Sequence, residues 1–153
     1  MSAPPGPPGP PGPQEQDGST AFLLMALGRR ARERVDAGLA GMGLAYRHLS
    51  VLGHLSGRPD LSYSELARRA GVTPQSMSAT VARLEDDGAI ERVTDPGRGR
   101  TSQLRLTDLG RERLRAGRAV VARVEEELLR AVPSDERSRL ADTLVAVFRA
   151  SAG

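Results

Sequence analysis

Cysteine is absent from these 153 residues. That excludes disulfides, thiolate zinc sites and a cysteine-based peroxide sensor, and it fits a reducing compartment. The two histidines, His48 and His54, are too few for a metal site built on imidazole alone. Neither a metal nor another cofactor is expected. Lysine is absent as well, so all 22 basic residues are arginine, and every side-chain cation is a planar fork. No apolar run approaches the roughly 20 residues that span a bilayer. The Pro/Gly-rich N-terminus lacks a basic stretch followed by an apolar one, so it does not read as a secretory signal. A cytoplasmic protein without a membrane partner is the expectation. Nothing resembles a nucleophile–base pair or a glycine loop that cradles phosphate, and the chain is not expected to be an enzyme. The acidic pairs Asp86-Asp87 and Glu125–Glu127 read as solvated helix ends or faces.

What is present is unevenly distributed. The net charge is only +3, so its placement matters more than its sum. Arg92, Arg98, Arg100, Arg105, Arg111 and Arg113 stand close together against Asp95, Asp108 and Glu112. Residues 1–18 form a Pro/Gly-rich tail with too few triplets for a triple helix, and an extended polyproline-type segment is expected. Residues 19–153 read as one domain. A helix opens at Ser19 or Thr20 with Leu23, Leu24, Leu27, Ala31 and Val35 at helical spacing, until Gly38, Gly41 and Gly43 interrupt it. A second helix, about Leu44 to Leu55, places Leu44, His48, Val51, Leu52 and Leu55 on one side. Thr107-Asp108 caps a long helix to about Ala131 with Leu109, Val120, Val121, Val124, Leu128 and Leu129 as its stripe. Pro133-Ser134 stops it and caps a last helix carrying Leu140, Leu144, Val147 and Phe148.

Between these lies the segment from Leu61 to Thr107. Ser62-Tyr63-Ser64-Glu65 has the form of a capping box. Leu66, Ala67 and Ala70 face inward, Gly71 can take the left-handed conformation that ends the helix, and Val72 is expected to be buried under the turn. Thr73 then caps a second helix with Pro74 at its first position, where the missing N–H costs nothing. Met77, Val81 and Leu84 make its buried stripe, and Gly88 ends it. The other face carries Gln75, Ser76, Ser78, Ala79, Ala82 and Arg83. Short neutral side chains allow close approach to base edges, and Gln and Arg suit adenine and guanine. Ala89–Val93 and Gln103–Thr107 alternate as half-buried strands. The loop between them offers Arg98 and Arg100 to phosphates or a narrow minor groove. The fold class is mainly α with a small β-hairpin: a winged helix-turn-helix over residues 61–107. Residues 19–56 and 108–150 supply helices whose apolar surface predicts pairing with a second copy.

These motifs, SELARRAGVTPQSMSATVARLEDDGAIER followed by QLRLTDLG, resemble the MarR family of bacterial transcription regulators. GMGLAYRHLSVLGHL is similar to the helix that precedes the motif in that family, and Leu-Thr-x-x-Gly opens the long helix in the family's manner. In the wing, Arg98, Gly99 and Arg100 stand where an Asp and two Arg are usual, and only Arg100 matches. The resemblance implies a homodimer on palindromic double-stranded DNA, usually a repressor, often released by a small molecule in a cleft beside the DNA-binding lobe. Tyr46, Arg47 and His48 fall where that cleft would lie. The expected DNA contacts are Gln75, Ser78, Ala79 and Arg83 on bases, and Ser76, Thr80, Arg98 and Arg100 on phosphate or the minor groove, with Thr73 and Pro74 at the helix start. The competing reading is a winged-helix protein-interaction module that binds no DNA.

Overall fold

The computed structural model describes residues 19–58, 61–93 and 103–151. The chain order is α1 (Thr20–Ala40), α2 (Tyr46–Gly57), α3 (Tyr63–Ala70), α4 (Pro74–Asp86), β1 (Ile90–Val93), β2 (Gln103–Leu106), α5 (Asp108–Leu128), a 3-10 turn at Leu129–Ala131, and α6 (Ser134–Ala150). The two strands pair antiparallel, with Ile90 opposite Leu106 and Arg92 opposite Leu104. Ile90, Leu104 and Leu106 turn inward while Glu91 and Arg105 face water, as their alternation predicts. No helix among the described residues is long and apolar enough to cross a membrane.

One continuous core runs from Val35 and Leu39 of α1, through Val51, Leu52 and Leu55 of α2, Leu66 of α3 and Met77, Val81 and Leu84 of α4, to Leu114, Val120 and Val124 of α5. Full burial of each large aliphatic side chain contributes about 1.5–3 kcal/mol. The helix-turn-helix is fixed locally as well. Ser62 Oγ accepts the Glu65 N–H at 3.3 Å, while the Glu65 carboxylate lies 4.0 Å from Arg68. Only the serine half of the expected capping box therefore forms. Gly71 has φ of 64°, the left-handed cap that a side chain would resist. Thr73 Oγ1 accepts the Ser76 N–H at 3.2 Å, and Pro74 takes the first position of α4.

Several details depart from the sequence expectation. Val72 is 40% exposed, because the Gly71 cap turns it outward. Ser134 is the first residue of α6 and makes no side-chain cap. Gly38 lies inside α1, where an added Cβ would sit 2.5 Å from Val120 Cγ1. It marks the close crossing of α1 over α5, not the end of a helix. The buried stripe of α5 is Gly110, Leu114, Gly117, Val120 and Val124, while Leu109 and Val121 are partly exposed. Hydropathy alone misses a stripe in which two of the inward positions are glycines.

The ends of the chain are different. α6 has no buried residue. Leu144, Val145, Val147 and Phe148 are exposed, as are Phe22, Leu23, Leu24, Met25 and Leu27 of α1. Leu24 and the four α6 side chains line one shallow apolar groove.

Candidate nucleic-acid interface

α4 presents Gln75, Ser76, Ser78, Ala79, Ala82 and Arg83 outward, with Thr73 and Pro74 exposed at its start. Thr80 does not join them. It is 7% exposed, and its hydroxyl donates to the Ser76 carbonyl at 2.9 Å. Position 80 follows Met77 by three and precedes Leu84 by four, which puts it on the buried stripe despite its polarity. Ser78 also donates back into the helix, to the Pro74 carbonyl at 3.0 Å. Arg98 and Arg100 lie outside the described residues.

Three latches hold this helix in place, and of their contacts sequence reasoning found only the Thr107 cap of α5. Arg92 of β1 reaches back to α4, with Nε 2.5 Å from Glu85 Oε1 and Nη2 3.0 Å from Oε2. It also donates to the Tyr63 hydroxyl of α3 and lies 5.1 Å from that ring's centroid. One guanidinium thus ties the first strand of the wing to both helices of the motif. Burial, then the nearby Glu85, raise the Tyr63 phenol above its usual pKa, so it stays a neutral hydroxyl. The second latch is Thr107, whose hydroxyl donates to the Gly88 carbonyl at 2.6 Å and accepts the Gly110 N–H at 3.1 Å. It joins the end of α4 to the start of α5. The third is Asp87, which caps α4, accepts from Arg113 at 3.3 Å and forms an ion pair with Arg83, whose Nε lies 3.2 Å away. The reading of Asp86-Asp87 as a solvated pair fails at Asp87, whose side chain is only 20% exposed. The available signal was spacing: Glu85 and Arg92 stand on either side of the Gly88 turn.

Behind α4 lies a cleft of about 810 Å³. Arg32, Gly43, Tyr46, Arg47, His48 and Val51 form one wall, the turn Ala70–Val72 its end, and Ser76, Met77, Ala79, Thr80 and Arg83 the other wall. All three residues expected there are present. Three arginines and no carboxylate appear among its lining residues. Arg32 lies 4.6 Å from the Tyr46 ring centroid, and the Tyr46 N–H donates to Asp36 Oδ1 at 2.6 Å. His48 is buried, and its Nδ1 accepts the Ala45 N–H at 2.9 Å, capping α2. Burial first, then Arg47 and Arg83, lower its pKa below 6.5. The neutral imidazole is the form that can accept that bond.

This assigns a pH dependence. Above pH about 6.5, His48 is neutral folded and unfolded, and the full stability is present. As pH falls from there through the lower folded pKa, the unfolded chain takes the proton first and stability is lost. Gln can accept the same N–H without titrating. His48→Gln should therefore flatten the drop in thermal midpoint between about pH 7.5 and 5.5. An equal drop in both proteins would remove His48 as the cause.

The comparisons with known proteins agree with this geometry. Residues 42–101 match the MarR family model. The HTH-type transcriptional repressor Rv2887 of Mycobacterium tuberculosis is 37% identical over 113 residues, covering 74% of this chain and 81% of that protein. Its crystal structure in complex with salicylic acid superposes with a TM-score of 0.74 at 32% identity, over 87% of this chain and 98% of that one. Its complex with DNA gives 0.75 at 31% identity, over 86% and 98%. Wild-type MarR from E. coli in its apo form, at 19% identity, shares the fold with a TM-score of 0.75 over 84% of this chain and 96% of that one. A helix-turn-helix braced by its own wing, an apolar pair of terminal helices and this level of likeness agree: the chain belongs to the MarR family of winged-helix transcriptional regulators.

Proposed function

We propose that the chain is a repressor that binds double-stranded DNA in a sequence-specific manner, acting as a homodimer on a palindromic operator and released by a small anionic aromatic ligand. The observation that carries this reading is the outward face of α4: short side chains with Gln75 and one Arg83, on a helix capped at both ends. Such a face can approach base edges in the major groove, where Gln75 and Arg83 have the donors to read them. The Ser76 hydroxyl and the backbone N–H of Gln75, in the first turn of α4, suit a phosphate. On sequence grounds, Arg98 and Arg100 extend the footprint to the flank. The M. tuberculosis repressor has been crystallised with DNA and with salicylic acid, which supports both parts. The apolar groove between α1 and α6 supports a pairing platform built from the terminal helices, with residues 61–107 as the DNA-binding lobe.

The cleft supports the ligand part. Its volume lies in the range of small-molecule sites. Arg32, Arg47 and Arg83 favour a carboxylate or phenolate, and Tyr46 offers an aromatic face.

The decisive measurement is a titration of the chain against its own promoter at several salt concentrations, with and without salicylate. Specific binding should weaken steeply between about 50 and 200 mM salt, and salicylate should weaken it further. Gln75→Ala should change the preferred sequence more than the affinity for random DNA. Binding that is absent or indifferent to salt would leave a protein-interaction module as the better account.

A further inference from the structure

Asp87 stands where a carboxylate is electrostatically out of place. It caps the C-terminal end of α4, the negative end of the helix dipole. Its side chain is four-fifths withdrawn from water. One of its oxygens, Oδ2, serves two guanidinium groups: Arg83 through Nε at 3.2 Å and Arg113 through Nη1 at 3.3 Å. Arg113 comes from α5 and is itself mostly withdrawn, with 24% of its side chain exposed. Partly buried ion pairs of this kind are weak evidence for added stability, because desolvation offsets the attraction. Their clearer effect is to fix geometry.

The geometry concerns Arg83, the one cation on the outward face of α4. Its side chain is 60% exposed. With the Asp87 carboxylate paired on its Nε side, it keeps its two terminal nitrogens for a ligand, and a planar fork needs a set orientation to meet a guanine edge with two bonds. A long, exposed arginine without such a hold has many rotamers to lose on binding. Arg113 supplies the second partner that holds the Asp87 carboxylate beside α5.

We propose that Asp87, supported by Arg113, is a positioning residue that sets the Arg83 guanidinium for base recognition, so that discrimination between sequences depends on it while affinity for DNA in general does not. This rests on the DNA-binding reading above. It makes a prediction opposite to simple electrostatics. Removing an acid near DNA should tighten binding to every sequence, and removing a merely structural residue should weaken binding to every sequence. Loss of the positioning role weakens the specific complex alone.

The test uses fluorescence titrations of the full chain against a fragment recovered by repeated selection on the wild type, and against scrambled DNA of the same composition. Asp87→Asn should lower the ratio of specific to scrambled affinity roughly tenfold, the scale of one bidentate base contact, with scrambled binding unchanged or tighter. In an Arg83→Ala background the same substitution should do nothing further. Arg113→Gln alters neither Asp87 nor Arg83 but removes the support of Asp87, and should lower the ratio in the same direction, so it carries the test if Asp87→Asn does not fold, as judged by circular dichroism. A ratio unchanged in these variants, or an Asp87→Asn effect that persists without Arg83, overturns the positioning role while leaving DNA recognition intact. A wild type that selects no fragment overturns both.

Discussion

Gly110→Ala should lower the thermal midpoint by about 10 °C, corresponding to about 3 kcal/mol in a chain of this size. Alanine normally stabilises a helix interior relative to glycine by up to about 1 kcal/mol, so the expected sign is unusual. It follows from what faces the residue. A Cβ at Gly110 would fall inside van der Waals contact of the Ala89 carbonyl. That carbonyl is backbone and cannot rotate away as a side chain would. It already accepts the Thr107 N–H at 3.1 Å, and Ala89 is fixed by its own N–H to Leu84 at 2.9 Å. Relief requires moving α5 away from the end of α4, which breaks the Thr107 latch. The internal control is Gly28, near the middle of α1, where an added Cβ meets nothing within 4 Å. Gly28→Ala should be neutral or mildly stabilising. Thermal melts of both variants settle the matter, and equal midpoints would mean the α4–α5 junction is softer than its geometry.

Phe148→Asp should separate the two copies proposed above and cost about 100-fold or more in operator affinity, the scale on which a second linked contact raises binding. Phe148 is 75% exposed in the single chain. A charge there costs the protomer's own fold almost nothing, while in a paired platform it would bury an unpaired carboxylate. Light scattering gives the mass and a titration on the selected fragment gives the affinity. A variant that keeps the mass and affinity of the wild type would place the pairing surface elsewhere. Weak binding by a folded single copy would show that each lobe reads its half-site alone.

How much of this was legible beforehand depends on the kind of signal. The helix-turn-helix was readable because its punctuation is chemical: Ser62, Gly71, Thr73 and Pro74 each have one local job, and three of the four meet it as the spacing implies. The fourth, Ser62, does so without the reciprocal bond from Glu65. The inward faces of α2 and α4 followed from periodicity. Thr80 was misplaced because its polarity was given more weight than its position. Gly38 and Gly117 were not recognised as packing positions, because a residue without a side chain gives no hydropathy, and its role shows only when Val120 or Leu49 is seen against it. The pairing of Asp87 with Arg113 lay beyond reach for another reason. They stand 26 positions apart in sequence, and at that range a single chain does not say which of 22 arginines meets which acid.

The last helix has a consequence for dosage. A segment of 17 residues with no fully buried side chain in its own chain gains little from packing, which supplies most helical stability in proteins, so much of its order is supplied by whatever covers it. With a second copy as that cover, folding of the platform becomes a second-order event, and stability rises with the amount of protein present. Dimer abundance at low levels then varies as the square of synthesis. A twofold change in production would then be felt on the DNA as nearly fourfold, giving the regulator a steep dose response that neither the recognition helix nor the cleft could provide.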